Sequence, residues 1–101
     1  MDTLFTLYFS TYHNESRKYV GTSRNVRNFI VSRMAELGFD GATLSQPQGV
    51  WQGAWEHSYK LEIVGRSQDM LWIKQMAMDI RDHYKQDSVM VTAVAADVEF
   101  V

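Results

Sequence analysis

The sequence of 101 residues contains no cysteine, one proline and six glycines. Without cysteine, disulfide bonds and thiolate chemistry are excluded, and nothing requires an oxidising compartment. Because proline and glycine are scarce and 46% of the residues are hydrophobic, the chain is neither a disordered tail nor a low-complexity linker. The composition is that of a folded protein.

Long apolar runs and a basic leader are also missing. No apolar run approaches the roughly 18 residues that span a membrane, and the first residues enter an alternating strand directly. We therefore expect a cytoplasmic protein without a membrane partner. A chain of this length is expected to form one domain, residues 1–101, whose core needs no cross-links.

The chain also lacks an excess of positive charge. Its net charge is −2 and its pI is about 5.8, which makes nucleic acid an unlikely partner because nothing would neutralise the phosphate backbone. The charges are placed unevenly, since residues 1–33 hold five basic and two acidic side chains and the remainder holds five basic and ten acidic ones. This asymmetry favours a local anion site near the first helix.

Alternation of apolar and polar residues predicts four strands. The clearest covers residues 55–64, where one parity points to the core: Trp55, His57, Tyr59, Leu61 and Ile63. A first strand is predicted over 3–12, and a short one over 42–46 pairs antiparallel with 55–64. The last strand, 89–96, is apolar at nearly every position, so we expect cover on both of its faces.

Two helices are predicted between these strands. Thr22 or Ser23 caps the first, which ends at Gly38, and Ser67 caps the second. The apolar positions recur at helical spacing, as in Val26, Phe29, Ile30, Met34 and Leu37 of the first helix and Ile73, Met76, Ala77, Ile80 and Tyr84 of the second. Residues 13–21 are predicted to form a loop.

The resulting order, βαββαβ, predicts a ferredoxin-like α+β fold, in which a four-stranded antiparallel sheet carries two helices on one face. Strands one and three are expected at the centre and the apolar last strand at an edge. Tyr8 and Tyr12 then belong to the uncovered face. Such a face stacks RNA bases in some modules, but here we favour cover by a second copy, giving a homodimer or higher homo-oligomer.

Two further clusters are candidates for ligand or partner binding. Arg24 and Arg27 follow the predicted helix start one turn apart and could clamp a phosphate or carboxylate, although a solvated helix face explains them as well. Aromatic side chains are concentrated at and after the turn of residues 49–53: Trp51, Trp55, His57 and Tyr59. They could form a ligand cage or a partner contact, or they could belong to the core.

Catalytic and metal-binding motifs are missing from the sequence. The histidines His13, His57 and His83 are isolated, their spacing fits no zinc or iron site, and no nucleophile elbow or phosphate-binding loop occurs. We therefore predict neither a metal nor a cofactor.

Three stretches resemble a family of small bacterial and bacteriophage proteins of unknown function: TLFTLYFSTY, FDGATLSQPQGVWQG and EHSYKLEIV. The similarity spans most of the chain but not residues 21–33. It implies the ferredoxin-like fold and a phage or mobile-element origin, and it implies no reaction.

The leading functional hypothesis from the sequence is a non-catalytic binding protein. It would be a phage-type accessory or anti-defence protein that binds a small anionic, nucleotide-like ligand or a host protein. The alternative is a small enzyme of the dimeric α+β barrel type, with His57 and Tyr59 in an interior pocket.

Overall fold

The computed structural model describes residues 1–13 and 15–101, without the side chains of Trp51 and Glu56. In chain order its elements are β1 (Asp2–Phe9), β2 (Tyr12–His13), β3 (Lys18–Tyr19), α1 (Ser23–Leu37), β4 (Thr43–Ser45), β5 (Gln48–Trp51), β6 (Ala54–His57), β7 (Tyr59–Gly65), α2 (Met70–His83) and β8 (Met90–Ala96).

The main sheet has the strand order β4-β7-β1-β8, and all its pairs are antiparallel. Phe5 at its centre pairs with Ile63 on β7 and with Ala93 on β8. With α1 after β1 and α2 after β7, this topology confirms the predicted ferredoxin-like βαββαβ fold. Two small hairpins, β2–β3 and β5–β6, are additional to it.

Both helices pack on the same face of the sheet. The odd-numbered residues of β1 and β7 form one core with the apolar seams of α1 and α2, and its fully buried members are Phe5, Leu7, Val26, Leu61, Ile63, Ile73, Met76, Ile80 and Tyr84. Arg33 on α1 donates to Asp79 on α2 (3.0 Å), and this carboxylate raises the pKa of Arg33. The predicted seams of both helices are confirmed.

The ends of α1 follow the sequence prediction. Thr22 Oγ1 accepts the N–H of Asn25 (3.1 Å), which satisfies one free donor of the first turn. At the other end Gly38 adopts a left-handed conformation (φ 80°), and the N–H of Phe39 reaches the carbonyl of Met34 (3.0 Å). For α2 the prediction is wrong by one turn, because Ser67 lies within a short 3-10 turn (Ser67–Asp69) that precedes the helix.

The predicted first strand, 3–12, is interrupted after Phe9. The hydroxyl of Ser10 accepts the N–H of Tyr12 (3.1 Å) and donates to the carbonyl of His57 (3.2 Å), so the backbone leaves the sheet. Residues predicted as a loop, 13–21, contribute to the β2–β3 hairpin instead, in which Tyr12 pairs with Tyr19.

The predicted strand 55–64 is likewise two strands. Ser58 donates to the carbonyl of Pro47 through both its N–H (3.3 Å) and its hydroxyl (2.9 Å), which separates β6 from β7. β6 pairs with β5 in its own hairpin. Trp55 is consequently 75% exposed and His57 is exposed, so the prediction that they face the helices is wrong, while Tyr59 does enter the core.

The other side of the sheet, which we call the open face, is formed by the even-numbered residues of β1, β7 and β8. Within one chain nothing described covers it at β8, where Met90 is 56% and Val94 58% exposed. The expected cover on both faces of this strand is therefore not provided by the chain itself. Among the described residues, no helix is long and apolar enough to cross a membrane.

Candidate functional site

A pocket of about 460 Å³ opens at the end of the sheet where the start of α1 meets both hairpins. We call it the polar pocket, and it is lined by Thr11, Tyr19, Gly21, Thr22, Ser23, Gln46, Gln48, His57, Ser58 and Tyr59. The pocket forms at the two interruptions of the sheet, because the chain leaves the sheet at Ser10 and rejoins it after Ser58.

Gly21 lets the chain turn tightly into α1 at the rim of this pocket. Its φ of 86° is one that side chains rarely adopt, and a Cβ there would lie 2.7 Å from Oδ1 of Asn25. That same oxygen accepts the hydroxyl proton of Tyr84 (3.1 Å), a fully buried residue that follows α2. Burial, with a smaller contribution from Tyr59, raises the pKa of Tyr84 to about 12. The hydrogen bond between Asn25 and Tyr84 thus connects the rim of the pocket to the hydrophobic core.

One wall of the pocket is a chain of polar groups. Gln46 Nε2 donates to the hydroxyl of Ser23 (2.8 Å), which lies 3.4 Å from the hydroxyl of Tyr59. Tyr59 is 7% exposed, and its ring stacks on Phe9 with 5.3 Å between centroids. Packing therefore fixes the ring and leaves its hydroxyl at the pocket.

A second group of lining residues is aromatic. The ring of Tyr19 lies 5.7 Å from the imidazole of His57 and 5.2 Å from the ring of Tyr12, against which it packs edge to face. The hydroxyl of Tyr19 accepts the backbone N–H of His57 (3.3 Å). This contact joins the two hairpins and leaves the imidazole itself exposed.

The lining residues include no aspartate, glutamate, lysine or arginine in the part of the chain that the structure describes. Over the same described residues no group of three or more histidines, cysteines or acidic residues could hold a metal ion. Such a lining suits hydrogen bonding and stacking with a ligand that carries little net charge.

The structure separates the residues predicted to bind a ligand or partner. His57 and Tyr59 meet in the polar pocket. Tyr8 lies on the open face but Tyr12 does not, because the break at Ser10 turns it into β2; the two nevertheless border a second depression of about 510 Å³.

The remaining predicted site residues lie elsewhere. Arg24 and Arg27 are exposed on α1, and Trp55 is exposed on β6. The prediction for Trp51 concerns a side chain outside the described residues. Sequence reasoning missed Tyr19 and Gln46, and the one available signal for Tyr19 was an aromatic side chain in a segment otherwise predicted as a polar loop.

No protein-family model matches the sequence, and no curated protein is significantly similar to it. Solved structures do match. A phage SAM lyase in complex with S-methyl-5′-thioadenosine has a TM-score of 0.75 and 18% identity, over 92% of this chain and 80% of its own. A phage SAM lyase in the apo state has a TM-score of 0.69 and 17% identity, over 91% and 78%.

A DUF3240 family protein from Shewanella baltica OS155 is similar over 99% of this chain and 94% of its own, with a TM-score of 0.66 and 14% identity. Identities this low establish the fold alone. The likeness to small bacterial and phage proteins, expected from three short stretches, is supported at this level.

The comparison contradicts the non-catalytic function predicted from the sequence. Two of these solved structures are of an enzyme, and one of them holds a nucleoside in its complex. The alternative, a small enzyme whose pocket contains a histidine and a tyrosine, is therefore better supported. His57 and Tyr59 do meet at one pocket, although His57 is exposed rather than interior.

Proposed function

We propose that this chain is a lyase that binds SAM, S-adenosylmethionine, in the polar pocket and releases S-methyl-5′-thioadenosine. The observation that carries the proposal is the TM-score of 0.75 to a phage SAM lyase over 92% of the chain. The polar pocket, bordered by Tyr19, His57 and Tyr59, is where we place the chemistry.

The chemistry of the lining supports a nucleoside ligand. The Tyr19 and His57 rings offer π-faces on which an adenine stacks. Gln46 and Gln48 offer amides, and Ser23 a hydroxyl, for the base edge and the ribose. Because no lysine or arginine lines the pocket among the described residues, it offers no charge to a phosphate. An uncharged nucleoside thioether fits better than the anionic ligand first expected.

Release of S-methyl-5′-thioadenosine requires one bond to break, that between the sulfonium sulfur and the γ-carbon of the methionine chain. The electron pair of that bond goes to sulfur, which becomes neutral. The γ-carbon then gains a bond within the same molecule, either from its own carboxylate oxygen or as a double bond after a proton leaves the neighbouring carbon. In the second case His57 is the base that takes this proton, so the positive charge passes from sulfur to the imidazole. Opposite charges disappear only in the first case, and there an uncharged lining favours the products.

The test is to incubate the full chain with SAM and to identify the products by mass spectrometry. We expect S-methyl-5′-thioadenosine from the wild type. Stacking of a base on an aromatic ring contributes about 1–3 kcal/mol, so Tyr19→Ala should lower kcat/KM by roughly tenfold or more. Val50→Ala is the matched control, because Val50 is exposed on the β5–β6 hairpin outside the pocket.

The four-carbon product separates the two routes. A lactone that still forms in His57→Gln assigns the carboxylate route, whereas an unsaturated amino acid that is lost in this variant assigns His57 as the base. The absence of S-methyl-5′-thioadenosine with the wild type, under conditions where the chain is folded, contradicts the proposed function.

Self-association through the open face is part of the same proposal. Exposed Val64, Met90 and Val94 support it, because monomers seldom leave a wide apolar patch in water. A SAM-cleaving chain would act in the cytoplasm, where this metabolite is used. The anti-defence role would then take the form of withdrawing the donor from methyltransferases.

A further inference from the structure

A second apolar surface lies on the opposite side of the molecule from the open face, in a groove between α2 and β8. Its volume is about 530 Å³. Leu71 (69% exposed), Trp72 (50%) and Met78 (40%) form its α2 side, and Val91 lines its β8 side. We call it the α2–β8 groove. Large apolar side chains exposed side by side on a helix indicate a contact surface.

The segment that follows β8 has a matching pattern. Residues 97–100 alternate acidic and apolar side chains, DVEF, before Val101, and Phe100 is 92% exposed. In an extended conformation Val98 and Phe100 share one side, and Asp97 and Glu99 share the other. The segment thus has one apolar edge and one acidic edge.

The charges of the groove complement this segment. Lys74, Arg81 and Asp87 are its charged residues. Arg81 already donates to Asp82 (2.9 Å), whereas Lys74 forms no ion pair with any residue that the structure describes. An extended segment with Phe100 against Leu71 and Trp72 would leave its acidic edge toward solvent, within reach of the long side chain of Lys74.

The segment does not occupy the groove of its own chain. Residues 97–101 belong to no helix or strand, and Phe100 is 92% exposed. The apolar edge is therefore left for another surface, and the groove of a second copy offers it exposed apolar side chains with Lys74 beside them.

We propose that residues 97–101 of a second copy of this chain occupy the α2–β8 groove, with Phe100 as the apolar anchor and Glu99 beside Lys74. Each copy has one groove and one segment, so reciprocal exchange fills both and closes a twofold dimer. This interface lies on the helix side of β8, and it is distinct from the open face.

The anchor is tested by sedimentation equilibrium of the full chain, across concentrations that bracket dissociation. All variants in this experiment carry Val94→Lys, which places a charge on the open face and leaves the groove as the contact that is measured. Val94→Lys should still dimerise, and adding Phe100→Ala should raise the dissociation constant by about tenfold or more, as expected for an aromatic anchor. Adding Val31→Ala is the control, because Val31 is 69% exposed on α1, and it should leave the constant unchanged. A Val94→Lys variant that is monomeric throughout, or a Phe100→Ala variant that dissociates like its background, overturns the proposal.

The pairing of charges has a sharper test. Lys74→Glu and Glu99→Lys each place like charges in both contacts of their own homodimer, and each should dimerise more weakly than the wild type. When the two variants are mixed, both contacts of the heterodimer again join opposite charges, so association should recover. A mixture that associates no better than the separate variants overturns the pairing. A dimer that Val94→Lys dissociates and neither charge variant affects assigns the contact to the open face instead.

Discussion

The helix side of the sheet and the polar pocket are built from different kinds of segment. On the helix side, long regular elements place apolar residues at periods of two and 3.6, and the core residues there are nearly all below 10% exposed. At the pocket, side chains come from two short hairpins, a helix start and a loop, and hydrogen bonds hold them. The first region is a rigid support, and the second carries the chemistry that such a support can position.

The difference depends on two serines that end the regular alternation. Ser10 and Ser58 each use their side chain to bond a backbone group, one to the carbonyl of His57 and one to that of Pro47. Without these breaks, strand continuity would carry Tyr12 onto the open face and His57 into the core. The candidate site therefore lies where the alternation of apolar and polar residues is interrupted, and not where it is strongest.

The largest expected effect is the difference in stability between substitutions on the two faces of β7. Leu61→Ala removes a fully buried side chain from the helix side, and we expect it to lower the free energy of unfolding by about 2–5 kcal/mol. Val64→Ala, on the open face where Val64 is 40% exposed, should cost less than about 1 kcal/mol. Urea denaturation at low protein concentration measures both. Equal losses would mean that the open face is packed as tightly as the core.

An intermediate effect on stability is expected when the glycines at the two ends of α1 are each replaced by alanine. Gly21→Ala and Gly38→Ala both place a side chain at positive φ, which costs about 1–2 kcal/mol. At Gly38 the new Cβ would meet no described atom within 4 Å, whereas at Gly21 it would displace Asn25 from Tyr84. We expect Gly21→Ala to be the more destabilising by about 1 kcal/mol, the value of one lost hydrogen bond. A larger loss of stability for Gly38→Ala would contradict the role of the Asn25–Tyr84 hydrogen bond in connecting the pocket rim to the core.

The smallest effect at neutral pH concerns Tyr84. Its pKa is raised to about 12 in the folded chain, against about 10 when unfolded. The folded state thus favours the neutral phenol, so its contribution to stability is complete below pH 10 and is lost as the pH rises through 12. Absorbance of tyrosinate should show one of the five tyrosines ionising late. All five ionising together near pH 10 in a folded chain would be evidence against this burial.

Local signals in the sequence were sufficient for most of the fold. The cap at Thr22, the left-handed end at Gly38 and the seam from Ile73 to Tyr84 depend on neighbours a few residues apart, and the structure confirms all three. The candidate site was harder to predict because its contacts join distant segments. Gln46 meets Ser23 across 23 residues, and Tyr19 meets His57 across 38.

By itself, the sequence determined most of the residues that form the core and the order of the main strands and helices, because both follow from short-range periodicity and turn chemistry. Tertiary structure decided where the strands stop, since Ser58 leaves the sheet only when the Pro47 carbonyl is there to accept its hydrogen bonds. It also decided that His57 lies beside Tyr19 instead of in the core. Alternation along one strand cannot encode such a contact, because it arises only when the two hairpins pack together.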